Sequence, residues 1–296
     1  MIMSTAIRLM TVLILLASLT AVAAADDSPK TPEERTDSLG KDQLKEINAD
    51  LKKLGTNIDL AFIGDSITRR WRGEGNKEVW NKYWGSYWAV NMGIGGDRTQ
   101  NVLWRLKNGQ LDGYQARVFV VMIGTNNCWG EKTVPEDVAA GVKSIVDLIQ
   151  TKQPKSKILL LSIFPVGEKP NPGRQSRDAV NKLISKFRSK SVEYLDISAK
   201  FLEPDGTISK DVMPDQLHLA PKGYEIWSEA IKDKVKALLA ETENRQTEAL
   251  RKRVEIGMPR SRQGKVKRDS CNCSSNTSKN LFGKNQVYSY MEIRNE

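Results

Sequence analysis

The chain has 296 residues, with 46 Lys and Arg against 36 Asp and Glu for a formal net charge of +10, and 39% of it is hydrophobic. That length and apolar content support one sizeable core with extensions. With three cysteines, Cys128, Cys271 and Cys273, it excludes a disulfide-stapled scaffold. The basic surplus does not mark a nucleic-acid face, because residues 241–296 carry 12 Lys and Arg against 7 Asp and Glu, about half of the excess.

At the start, Arg8 precedes an uncharged apolar run from Leu9 to Leu19, and Ala21-Val22-Ala23-Ala24-Ala25 precedes Asp26-Asp27. This is the charge, hydrophobic block and small-residue site of a secretory signal peptide over residues 1–25. It predicts a secreted or periplasmic protein whose mature chain starts at Ala24 or Asp26, with membrane contact only before cleavage; the competing reading is a retained anchor. Residues 26–40 are polar and turn-rich and read as a linker.

From Lys41, Leu44, Ile47, Leu51 and Leu54 recur at helical spacing and predict an amphipathic helix. The apolar run from Leu60 to Ile63 then reads as a buried strand ending on Gly64-Asp65-Ser66. A Trp-rich segment (Trp71, Trp80, Trp84, Trp88) leads to a short strand near 88–91 that stops at Gly93-Ile94-Gly95-Gly96-Asp97. A third strand, Val118 to Ile123, lacks alternation, so both its faces are covered, and it runs into Gly124-Thr125-Asn126-Asn127. Thr133-Val134-Pro135-Glu136 reads as a capping box opening the next helix. A strand at 158–163, a helix near 177–189, a strand at 192–197 and a helix from Pro221 to about Ala240 follow. Strands alternating with helices at this spacing predict an open parallel sheet covered on both sides, an α/β fold, over residues 41–240. Residues 241–296 are rich in Arg, Lys, Ser and Asn and poor in apolar residues; they read as a disordered basic extension, with Cys271 and Cys273 incidental to it.

Ser66 falls at the carboxyl end of a strand, the edge where open α/β sheets bind ligands. The chain holds one histidine, His218, three residues after Asp215 and just before the last helix. A serine hydroxyl is a weak nucleophile until a base takes its proton, and in this chain no second imidazole exists to do so. Asp215 is spaced to orient that imidazole. Gly95-Gly96 and Asn126, at the ends of two further strands, offer a backbone N–H and a side-chain amide for a developing oxyanion.

The four segments Gly64-Asp65-Ser66, 91–97, Gly124-Thr125-Asn126-Asn127 and Asp215-Gln216-Leu217-His218 resemble the sequence blocks of the SGNH, or GDSL-type, serine hydrolases. Residues 102–109 and 167–172 further resemble the catalytic subunits of platelet-activating-factor acetylhydrolase and their secreted bacterial relatives. Asn101 and Val166 depart from the His and Arg of those subunits. The resemblance implies a flavodoxin-like α/β/α sandwich with a five-stranded sheet in the order 2-1-3-4-5. It also implies Ser66 as nucleophile, His218 as base and then acid, Asp215 as orienting carboxylate, and an oxyanion hole from the Ser66 N–H, the Gly96 N–H and the Asn126 side chain. The expected activity is hydrolysis of a short acyl ester, acetyl first, of a lipid or carbohydrate. No metal, other cofactor or nucleic-acid partner is expected. An O-acyltransferase with the same triad, or a binding protein on the same fold, are the rival functions.

Overall fold

The strand that carries the Gly-Asp-Ser turn lies inside the sheet, flanked on both sides. In the computed structural model, which describes residues 28–129 and 133–255, β1 (Asn57–Gly64) pairs in parallel with β2 (Ala89–Gly93) and β3 (Gln115–Met122). β3 pairs with β4 (Lys157–Leu161), and β4 with β5 (Val192–Leu195), all parallel, giving the order 2-1-3-4-5. This is the parallel arrangement that the alternation of strands and helices predicts and the order that the family resemblance implies. Gly64 is in register with Gly93 on one side and with Met122 on the other, so the loops after β1, β2 and β3 leave the sheet at one level.

The near-continuous apolar strands are buried on both faces because helices cover both. On one side Ala61, Ile63, Phe119, Val121 and Leu160 pack with Ile47 of α1 (Ser38–Leu54), Val102 of α4 (Thr99–Arg105), Val142 and Ile145 of α5 (Pro135–Lys152) and Val180 of α6 (Pro172–Ile184). On the other, Phe62, Val120 and Leu159 pack with Trp84 of α3 (Asn76–Trp84) and with Trp227, Ile231 and Val235 of α7 (Pro221–Glu255). A short helix, α2 (Ser66–Arg69), follows β1 directly.

Several boundaries differ from the sequence reading. α6 begins at Pro172, five residues before Arg177, because Asn171 accepts a hydrogen bond from Arg174 N and Pro172 supplies the first helical turn. Val134 caps α5 without a side-chain bond, so Thr133 opens no capping box. Trp71 and Trp84 are core residues, 1% exposed, in an aromatic cluster with Phe62, Tyr224 and Trp227, whereas Trp88 is exposed. Residues 28–37, read as linker, are hydrogen-bonded onto the loop after β2 and onto α4: Glu33 N donates to Gln100 O, and Thr99 Oγ1 to Pro29 O at 2.7 Å. The expected boundary at Ala240 falls within α7, where Thr242 is buried and Glu241 pairs with Lys157.

The chain divides into a unit spanning Met1–Leu250 and a second spanning Arg251–Glu296, of which the helical residues 251–255 are described. The expected signal peptide and most of the basic extension lie outside the described residues. Among the described residues no helix is long and apolar enough to cross a membrane.

Candidate active site

Ser66 is held at the first turn of α2 by its neighbours. Asp65 caps that helix, its Oδ1 accepting from Ile67 N at 2.9 Å, and the buried Tyr224 hydroxyl donates to Ile67 O at 2.7 Å from α7. Burial pushes the Asp65 carboxyl up to about 7 against the pull of that N–H.

From the far end of the chain, His218 Nε2 lies 2.9 Å from Ser66 Oγ, and His218 Nδ1 lies 2.7 Å from Asp215 Oδ2. Asp215 Oδ1 also accepts from the backbone N–H of Leu217 and of His218, at 3.1 and 2.7 Å, which turns the segment so that carboxylate and ring meet. The turn forces Gln216 to φ +62, among the described residues the one non-glycine with positive φ. Burial opposes ionisation of Asp215, but the bonds from His218 and Leu217 outweigh it and hold the carboxyl below its ordinary range. Arg70 Nη1 sits 3.6 Å from Asp215 Oδ2. The His218 side chain is 14% exposed and that of Asp215 48%, so the relay lies at an open mouth.

The other two strand ends converge on one another. Asn126 Nδ2 donates to Asp97 O at 2.9 Å, which joins the loop after β3 to the Gly95-Gly96-Asp97 loop after β2. Gly96 stands at φ +80, a conformation that suits glycine. Asn127 ties the loop after β3 to the first turn of α4, accepting from Thr99 N and donating to Gln100 Oε1, each at 2.9 Å. A cleft of about 540 Å³ reaches Asn126 and is lined in part by Lys30, Trp129 and Asp137. Ser66, His218 and Asp215 thus meet as a relay, while Gly96 and Asn126 meet through Asp97.

Sequence reasoning did not single out the buried arginines that brace these loops. Arg105, 3% exposed, donates from Nη2 to Met92 O at 2.9 Å and from Nε to Asp97 Oδ2 at 2.9 Å. Arg177, fully buried, donates from Nη2 to Thr125 O at 3.1 Å and from Nη1 to Cys128 O at 3.3 Å. Arg177 shares a helix face with Val180 and Ile184, whereas Arg105 ends a helix buried on nearly all sides, and the one available signal was an arginine among apolar residues. Cys128 is packed, and burial pushes its thiol up to about 11, away from nucleophilic chemistry. Among the described residues no group of three or more His, Cys, Asp or Glu side chains is placed to hold a metal ion.

An all-parallel 2-1-3-4-5 sheet with a Gly-Asp-Ser turn, a Gly-Gly loop, an Asn loop and an Asp-x-x-His segment gathered at its carboxyl edge defines an α/β hydrolase of the SGNH class. The pattern of the GDSL-like Lipase/Acylhydrolase family matches residues 62–226, and the chain belongs to that family. Membership makes it a carboxylic ester hydrolase. The platelet-activating factor acetylhydrolase IB subunit alpha2 of Homo sapiens is 42% identical to it over 192 residues, covering 64% of this chain and 81% of that protein. Among solved structures, a GDSL-like lipase of Bacteroides thetaiotaomicron superposes with a TM-score of 0.52 at 17% identity, over 67% of this chain and 97% of its own. A variant of a Geobacillus acetyl-xylooligosaccharide esterase does so with a TM-score of 0.50 at 20% identity, over 62% and 96%. These two likenesses concern the fold.

Proposed function

We propose that the protein is an exported serine esterase that cleaves short-chain acyl esters, acetyl first, through an acyl-enzyme on Ser66. The observation that carries this reading is the unbroken relay from Ser66 Oγ through His218 to Asp215, with contacts of 2.9 and 2.7 Å. His218 Nε2 takes the hydroxyl proton as Ser66 attacks the carbonyl carbon, and returns it to the departing alkoxide. Asp215 accepts from Nδ1, keeps the ring in the tautomer whose Nε2 is free to accept, and stabilises the imidazolium. Water, deprotonated by His218, then attacks the acyl-enzyme, and loss of Ser66 as leaving group regenerates the site.

The developing oxyanion receives the Ser66 and Gly96 N–H groups and the Asn126 amide, one of whose two N–H bonds is already spent on Asp97 O. That bond fixes the amide's orientation before substrate arrives, which is how preorganised donors lower a barrier. The acetyl preference is supported by the alpha2 acetylhydrolase relative at 42% identity. The alcohol portion is a lipid or a carbohydrate. Export is supported by the three-part pattern of residues 1–25.

Purified protein without residues 1–25 is expected to hydrolyse p-nitrophenyl acetate faster than its longer-chain homologues. Ser66→Ala and His218→Ala are each expected to abolish turnover; full activity in His218→Ala overturns the reading. A parallel screen of acetylated phospholipid and acetylated xylan, read as acetate release, assigns the alcohol.

A further inference from the structure

We infer that Arg35, which precedes the family-matched region, is a positioning residue that clamps the Gly95-Gly96-Asp97 loop in the conformation from which Gly96 and Asn126 present their N–H groups. The inference rests on the reading of those two groups as oxyanion donors.

The Arg35 guanidinium spends its donors in two directions. Nε and Nη2 fork the Asp37 carboxylate at 2.5 and 2.9 Å, and Asp37 in turn caps α1 through Gly40 N at 2.9 Å. Nη1 reaches the loop, donating to Gly95 O at 2.9 Å and to Asp97 Oδ1 at 3.3 Å. It also lies against Gly96, since a Cβ built there would stand 3.3 Å from Nη1. Gly96 has no side chain by which to be held and sits at φ +80, so its orientation depends on what grips its neighbours. Gly95 is gripped twice from outside the sheet, its carbonyl by Arg35 and its N–H by Gln43 Oε1 of α1 at 2.8 Å. Asp97 is the hinge between the donors. Its carboxylate is shared by Arg35 and Arg105, and its carbonyl orients the Asn126 amide. A shift of this loop therefore moves both donors together.

The segment that carries Arg35 is itself seated. Asn101 Nδ2 donates to Glu33 O at 3.2 Å, and Thr99 Oγ1 to Pro29 O at 2.7 Å. Gly141 of α5 lets Pro29 approach, because a Cβ there would come within 2.4 Å of Pro29 O. Residues 28–37 thus act as a strap from which one guanidinium reaches behind the oxyanion loop.

The test is steady-state hydrolysis of p-nitrophenyl acetate by Arg35→Ala and Arg35→Lys in the otherwise intact chain, with kcat expressed per Ser66 titrated to completion by a fluorophosphonate. Arg35→Ala is expected to lower kcat about 10- to 100-fold, the scale of an ångström-level misplacement, with KM within about twofold. Arg35→Lys recovers part of the loss, because one ammonium cannot fork Asp37 and reach Gly95 O together. Combined with Asn126→Ala, either variant costs less than the product of the separate losses, since both act on one oxyanion.

A merely structural role lowers the melting temperature and the titratable fraction while kcat per titrated site stays constant. That result, or full multiplicativity with Asn126→Ala, overturns the inference. If Arg35→Ala yields no folded protein, Arg35→Lys and Arg35→Gln carry the same readouts. Ser66→Ala separates the two levels of argument: turnover surviving in it defeats the esterase reading, whereas an inert Ser66→Ala beside a normal Arg35→Ala defeats this inference alone.

Discussion

Gly93→Ala tests how closely the sheet presses on the turn that carries Ser66. Gly93 ends β2 where that strand passes the main chain following Ser66, and a Cβ built on it would stand 2.3 Å from Arg69 N, 2.7 Å from Thr68 C and 2.8 Å from Arg69 Cα. All three atoms are backbone, so no side chain can swing away; ordinary contact begins near 3.4 Å, and one segment must retreat by about 1 Å. β2 is tied to β1 at Gly64, which leaves the Ser66–Arg69 turn to yield. The turn is fastened to Tyr224 through Ile67 O, and its displacement lengthens the 2.9 Å contact between Ser66 Oγ and His218 Nε2. The expected cost is about 1–3 kcal/mol or more of stability by overpacking, and about 100-fold in kcat/KM by misplacement of Ser66, the proposed nucleophile. Urea unfolding and p-nitrophenyl acetate hydrolysis measure the two. Gly113→Ala is the control: Gly113 has φ +85 but nothing within 4 Å of its would-be Cβ, so alanine there costs about 1 kcal/mol of backbone strain and leaves kcat alone. Wild-type stability and turnover in Gly93→Ala would refute the close-approach argument.

Asn126→Ala removes the proposed oxyanion donor along with the tie to Asp97 O, and is expected to lose about 10²–10³ in kcat with little change in KM. Asp65 gives a pH signature in stability. Its folded pKa of about 7 lies above that of an unfolded aspartate, so its contribution is full below about pH 4 and is lost as pH rises to about 7, a change of order 4 kcal/mol. Asp65→Asn is expected to flatten the chemical-denaturation profile across that interval, and an unaltered pH dependence would refute the buried-carboxyl account. A chain ended after Ala240 is expected to melt below one ended after Leu250, because it loses the buried Thr242, which accepts from Arg117 Nε at 3.2 Å, and Glu241, the partner of the Lys157 ammonium. Equal melting temperatures would place the boundary back at 240.

The three segments that follow β1, β2 and β3 were legible because parallel connectivity returns every strand to the same edge, so a motif at a strand's end is a motif at the site. The stripe Leu44, Ile47, Leu51 and Leu54 likewise announced its helix without help from the rest of the chain. Trp71 and Trp84 were ambiguous, since an indole that follows a Gly-Asp-Ser turn can line a pocket or fill a core. Trp71 is packed against Tyr224 and Trp227, more than a hundred residues later, and Trp84 against Phe62 of β1. Thr133 carried the composition of a capping residue, yet its neighbour Val134 caps α5 without a side-chain bond. Residues 28–37 had a linker's composition and are ordered by distant partners on Gln100, Asn101 and Thr99.

Local chemistry in the sequence determined the alternation of strand and helix, the parallel sheet and the residues offered at its edge, because periodicity, turn residues and side-chain type act over a few positions. The approach of His218 to Ser66 across 152 residues, the joining of Asn126 to Asp97, the seating of the half-buried Arg35 and the burial of Arg105 and Arg177 behind those loops were decided by tertiary structure alone. A buried guanidinium is tolerated where carbonyls and carboxylates from several segments meet it, and that meeting exists once the chain has closed on itself.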